Sequence, residues 1–73
     1  MSALIRLEKP EIKQKVLHIL ETTDEWLTIN EIAKKLGVSF QTVKYALILL
    51  FEEQKIEVRR VKHLILVRIK NKT

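Results

Sequence analysis

Seventy-three residues, 47% of them hydrophobic and 32% charged, with one Gly, one Pro and no Cys, suit one regular domain and not a disordered chain. That length leaves too little apolar surface for a second core or a deep catalytic cleft, and the lack of cysteine excludes both a disulfide framework and a thiolate metal site. The net charge of +5 is unevenly spread: residues 1–33 carry four Lys or Arg against six Asp or Glu, residues 34–73 carry ten against three, and this asymmetry favours a polyanionic partner.

The amino-terminal ALIRL meets Glu8 and Lys9 at once, unlike a signal peptide, and no run approaches the ~18 apolar residues that cross a bilayer. A cytoplasmic protein without membrane contact is expected. Richness in Ile, Lys and Glu with no Cys suits a thermophilic source.

Pro10 and Glu11 open the first helix, because proline loses no hydrogen bond in a first turn and an acid there complements the helix dipole. Ile12, Val16, Ile19 and Leu20 form one apolar stripe that carries this helix to about Thr22. His18, beside the stripe, reads as an ordinary packed or surface histidine, and His63 has too few ligand-type neighbours for metal binding. Trp26 and Leu27 suit a stub of strand. Thr28 and Glu31 have the T-x-x-E spacing of a capping box, so a second helix starts there with Ile29, Ile32, Ala33 and Leu36 on its buried side. Lys34 and Lys35 stand near its carboxyl end, where positive charge is favoured, and Gly37, the only glycine, supplies a sharp stop.

Val38 plugs the corner and Ser39 caps a third helix, in which Val43, Leu47 and Leu50 turn inward. Phe40, Gln41, Thr42, Lys44 and Tyr45 are left on or beside the opposite face, and the helix is expected to end near Gln54. Beyond Lys55 the period changes to two: IEVRR and LILVRIK read as strands, with Arg60 to His63 as the turn between them. That turn contains no Gly, Asn or Asp, which leaves its type and register open. The expected organisation is one domain over 1–73, with an apolar extension at 1–9, a core fold at 10–70 and a frayed tail at 71–73.

The order helix, strand, helix, helix, strand, strand, together with TINEIAKKLGVSFQTVKYAL, resembles the winged helix-turn-helix DNA-binding domains of small bacterial and archaeal transcriptional regulators. Ala33, Gly37, Val38, Val43 and Leu47 stand at that family's small, turn and core positions, and the resemblance covers about residues 10–70. It implies an α+β fold with a three-helix core and a carboxyl-terminal hairpin wing, the third helix in the major groove and the wing on the backbone or minor groove. Carried over residue by residue, Ser39, Phe40, Gln41, Thr42, Lys44 and Tyr45 are the expected contacts of the third helix. Lys34 and Lys35 fall near a phosphate strand, and Arg59, Arg60, Lys62 and His63 are those of the wing. Side-chain chemistry agrees, since Gln pairs with an adenine edge, Thr meets a thymine methyl or phosphate, and Lys reaches guanine or phosphate. The wing lacks the glycines or prolines often seen in the family. Tyr45, four residues after Gln41, is similar to the spacing in Z-DNA-binding winged helices, but their proline-tryptophan wing element is missing here.

With Leu47 and Leu50 in the core, Ile48, Leu49 and Phe51 cannot all be buried by so small a domain. Two covers are open to them, Ala3, Leu4, Ile5 and Leu7 of the extension folding back over the patch or the two patches meeting across a two-fold axis, and a homodimer through Ile48, Leu49 and Phe51 with Leu4, Ile5 and Leu7 is the expected one. No nucleophile–base pair, carboxylate pair or phosphate-binding glycine loop is present, so neither enzymatic activity nor a cofactor nor a small-molecule substrate is expected. The rival is a protein-interaction module of the same fold, because a fold alone does not dictate function.

Overall fold

The computed structural model describes residues 10–70 as three helices and one three-stranded antiparallel sheet, an α+β arrangement. The elements are α1 (Pro10–Thr23), β1 (Leu27–Thr28), α2 (Ile29–Leu36), α3 (Phe40–Glu52), β2 (Ile56–Val61) and β3 (Leu64–Ile69). The sheet order is β1-β3-β2, so the brief β1 lies on one edge and β2 on the other. Residues 1–9 and 71–73, including the apolar Leu4, Ile5 and Leu7, lie outside the described residues.

The helices bury the stripes that their spacing requires. Val16 and Leu20 of α1, Ile29, Ile32 and Ala33 of α2, and Val43, Ala46, Leu47 and Leu50 of α3 meet Leu27, Ile56 and Val67 of the sheet in one core. Ile12, Leu17, Ile19, Leu36, Val38, Ile65 and Ile69 pack against its rim. No polar or charged side chain is buried among the described residues, so the fold depends on apolar burial and not on a buried polar network. One ion pair joins the far ends of the bundle. Lys13 Nζ donates to Glu53 Oε2 at 2.6 Å, bringing the first turns of α1 beside the end of α3. The Lys13 hydrogen bond and charge, with a smaller contribution from Lys55 at 3.6 Å, hold the Glu53 carboxyl below its ordinary pKa.

The caps explain where the helices begin and end. Thr28 Oγ1 accepts the Glu31 amide at 3.1 Å while Glu31 Oε1 accepts the Thr28 amide at 2.8 Å, a complete capping box. Gly37 has φ +69°, and its amide and that of Val38 both reach the Ala33 carbonyl, closing α2.

The end of α3 corrects the sequence reading, which extended the helix to about Gln54. The helix stops at Glu52 because Gln54 takes φ +61°. Its amide then bonds the Phe51 carbonyl and the Lys55 amide bonds the Leu50 carbonyl, a Schellman closure without glycine. A Cβ in the left-handed region is strained, so Gln54→Gly is expected to raise unfolding stability by about 0.5–1 kcal/mol. Urea melts followed by circular dichroism check this; an unchanged or lower midpoint contradicts it.

Two strand boundaries also differ. β1 is Leu27–Thr28 rather than Trp26–Leu27, because Leu27 and Thr28 pair with Val67 and Leu66. The hairpin turn is only Lys62 and His63, since Arg60 and Val61 still pair with Ile65 and Leu64. Two-residue hairpin turns need positive φ at their first position, and Lys62 supplies φ +58° without the usual Gly or Asn.

Candidate nucleic-acid interface

Helix α3 begins with a local cap. Ser39 Oγ accepts the Thr42 amide at 3.2 Å and lies 2.9 Å from Thr42 Oγ1, so both hydroxyls are engaged in starting the helix. Thr42 is half-buried, unlike the other polar residues of this turn. At 100° per residue, Val43, Ala46, Leu47 and Leu50 share the core side, and Gln41, Tyr45 and Ile48 lie nearly opposite, with Phe40, Lys44 and Phe51 along one flank. Accessibility follows that geometry: Phe40, Gln41, Lys44 and Tyr45 are exposed, as are Ile48 at 45% and Phe51 at 55%, while Leu49 is half-buried. An exposed surface of α3 therefore runs from a polar, aromatic first half into an apolar second half.

The β2–β3 hairpin projects beside the polar half. Phe40 lines a cleft of about 110 Å³ with Thr28, Ile29 and Asn30 at the start of α2 and His63, Leu64 and Ile65 at the hairpin tip. The tip and the first residue of α3 thus border one depression. Asn30, exposed in this cleft, was not among the candidates from sequence; its neighbours come from three separate elements, so no local pattern marks it.

Strand register separates two residues that are adjacent in sequence. Side chains alternate between the faces of a strand, and directly paired residues of antiparallel strands share a face. Val67 is buried and Ile65 and Ile69 pack on the core, so the partners of this row, Ile56, Val58 and Arg60, face the helix side. Glu57, Arg59 and Val61, with Leu64, Leu66 and Arg68, take the other side. Arg60 therefore lies on the side of α3 and Arg59 on the far side. Lys62 and His63, in the turn, are exposed, as are Lys34 and Lys35 in the last turn of α2.

Most of the positive charge on these surfaces is not engaged in ion pairs within the described residues. Ion pairs among the described residues engage Lys13 and Lys55 with Glu53, and Arg68 with Glu57 at 3.4 Å. Lys34, Lys35, Lys44, Arg59, Arg60 and Lys62 form none within that set. Between α1 and the end of α2, an open groove of about 430 Å³ is lined by Glu11, Gln14, Lys15, His18, Ile19 and Leu36. His18 is exposed there. Among the described residues no cluster of three His, Cys, Asp or Glu can hold a metal ion, and no helix is long and apolar enough to cross a membrane.

No protein-family model matches the chain, and no curated protein is significantly similar to it.

Proposed function

We propose that the chain is a winged helix-turn-helix protein that binds double-stranded DNA, a cytoplasmic transcriptional regulator without enzymatic activity or cofactor. The observation that carries this reading is the exposed polar start of α3 beside the hairpin tip, bordered by lysines and an arginine that form no ion pair among the described residues. In this reading α3 enters the major groove, and Gln41, Lys44 and Tyr45 meet base edges or phosphates. Phe40 stacks at the groove wall. Ser39 and Thr42, whose hydroxyls cap the helix, contribute through the helix amino terminus instead of through free side chains. Lys34, Lys35, Arg60, Lys62 and His63 lie along the phosphates.

Salt dependence tests the reading. With ~5 phosphates neutralised, the logarithm of affinity for a duplex should fall with a slope near −4 to −5 against the logarithm of salt concentration, measured by fluorescence anisotropy. A flat dependence, or no binding at low salt, would favour the interaction-module alternative, for which exposed Ile48 and Phe51 are the natural contact.

The same two residues, with half-buried Leu49, are the proposed dimer contact, joined by Leu4, Ile5 and Leu7 from outside the described residues. A two-fold contact would give paired α3 helices able to read half-sites one turn of DNA apart. Sedimentation at tens of micromolar is expected to give a dimer for the full chain and a monomer for Phe51→Asp; a monomeric wild type would remove the dimer while leaving DNA binding intact.

A further inference from the structure

The face of the sheet that points away from the helices carries a stack that the proposed interface does not use. Trp26, half-buried immediately before β1, has the guanidinium carbon of Arg68 4.7 Å from its ring centroid and that of Arg59 at 4.9 Å. Both lie within the range where a cation is attracted to the ring face, and tryptophan is the best of the aromatic acceptors. Arg68 is also paired with Glu57 across the β2–β3 ladder. One indole thus joins all three strands: its own chain begins β1, Arg68 belongs to the central β3, and Arg59 and Glu57 belong to the outer β2.

Such a brace has a mechanical reason to exist. Ile56 and Val67 anchor the inner face of the hairpin in the core, but β1 contributes only two residues to the sheet, pairing beside Val67 and Leu66, so its ladder adds little restraint on the outer face toward the tip. The hairpin turn contains no glycine or asparagine to enforce a register, and Lys62 sits there in left-handed φ. A side-chain link on the outer face supplies what the short ladder and the turn do not. It also gives the adjacent arginines different roles. Arg59, held against the ring, is on the far face; Arg60, paired with Ile65, is on the side that borders the Phe40 cleft.

We infer that Trp26 is a positioning residue for the hairpin: stacked with Arg59 and Arg68, it fixes the hairpin's rotation so that Arg60, and not Arg59, meets the nucleic-acid backbone. The inference rests on the DNA-binding reading above and assigns the work within that same site. A merely protective role for the stack, shielding apolar Leu66 and Val61, would cost stability when removed but leave affinity alone.

The experiment compares the 73-residue wild-type chain with Arg59→Gln, Arg60→Gln, Trp26→Ala and Trp26→Phe for affinity to a random-sequence duplex over a salt series, beside urea melts of the same proteins. Arg60→Gln is expected to reduce the magnitude of the salt slope by about 0.9, one phosphate contact. Arg59→Gln and Trp26→Ala should leave that slope unchanged and weaken binding about two- to fivefold, the equivalent of one exposed cation–π contact. Trp26→Phe, which keeps an aromatic face, should recover most of the loss. In the urea melts, Trp26→Ala combined with Arg59→Gln should lose less than the sum of the single losses, because both remove the same contact. Equal reduction of the slope by Arg59→Gln and Arg60→Gln overturns the inference, as does unaltered affinity of folded Trp26→Ala. A wild type that binds no duplex at low salt defeats the DNA-binding reading instead; strictly additive urea losses would then show separately that the brace is absent.

Discussion

Leu50→Ala is expected to remove a large share of the protein's stability, about 2–5 kcal/mol. The Leu50 side chain is 1% exposed and sits with Val43, Ala46 and Leu47 on the face of α3 that closes over α1 and the sheet. Truncating a leucine in such a place costs about 2–5 kcal/mol, from lost transfer free energy and from the cavity left behind. A domain of this size has only about 4–10 kcal/mol of total stability, and without a disulfide it has no reserve beyond packing. Circular dichroism during urea and thermal melts should show the cooperative transition shifted to a much lower midpoint. A surface control, Glu52→Ala on the exposed side of the same helix, should change stability by no more than about 0.5 kcal/mol. Similar behaviour of the two variants would show that α3 is not packed as described.

The second large effect concerns discrimination between DNA sites. Under the proposed function, Gln41→Ala and Lys44→Ala should each reduce the preference for a selected site over random duplex by about fivefold or more, because a well-formed side-chain contact to a base edge is worth about 1–3 kcal/mol. Lys34→Ala and Lys62→Ala should instead weaken binding to all duplexes alike, each removing about 0.9 from the salt slope. Selection of a site from a random pool, followed by paired titrations with selected and random duplexes, measures both. Uniform losses from all four variants would remove the division between reading and anchoring. Gln41 and Lys44 are suitable probes because both are exposed, away from the buried row of α3.

Local signals made most of the framework legible from the chain alone. Thr28 and Glu31 are three residues apart and need only each other, so their capping box can be read from sequence and is formed. Gly37 is the only residue without a Cβ, and its left-handed turn lies where that freedom is needed. The stripes of α1, α2 and α3 are equally local, since helical spacing alone decides which residues share a side. By contrast, Gln54 and Lys62 adopt left-handed φ with side chains that give no warning of it, and those two positions shift the end of α3 and shorten the turn. The Phe40 cleft and the Trp26 stack were not legible for a different reason. Their members come from elements far apart in the chain, and only strand register decides that Arg59 and Arg60 part company. A one-residue slip would exchange their faces, and the turn sequence offers nothing that fixes the slip beforehand.

Among the described residues β2 pairs with β3 on one side only, so within that set its other flank of amides and carbonyls has no strand partner along Ile56–Val61, with Val58 and Val61 accessible. Such a margin is a template for a neighbouring molecule's strand, and Arg59 and Arg60 guard it by repelling the same arginines on an incoming copy. Concentrated brine would weaken that guard, so fibre growth in this protein should be a hazard of high ionic strength rather than of heat alone.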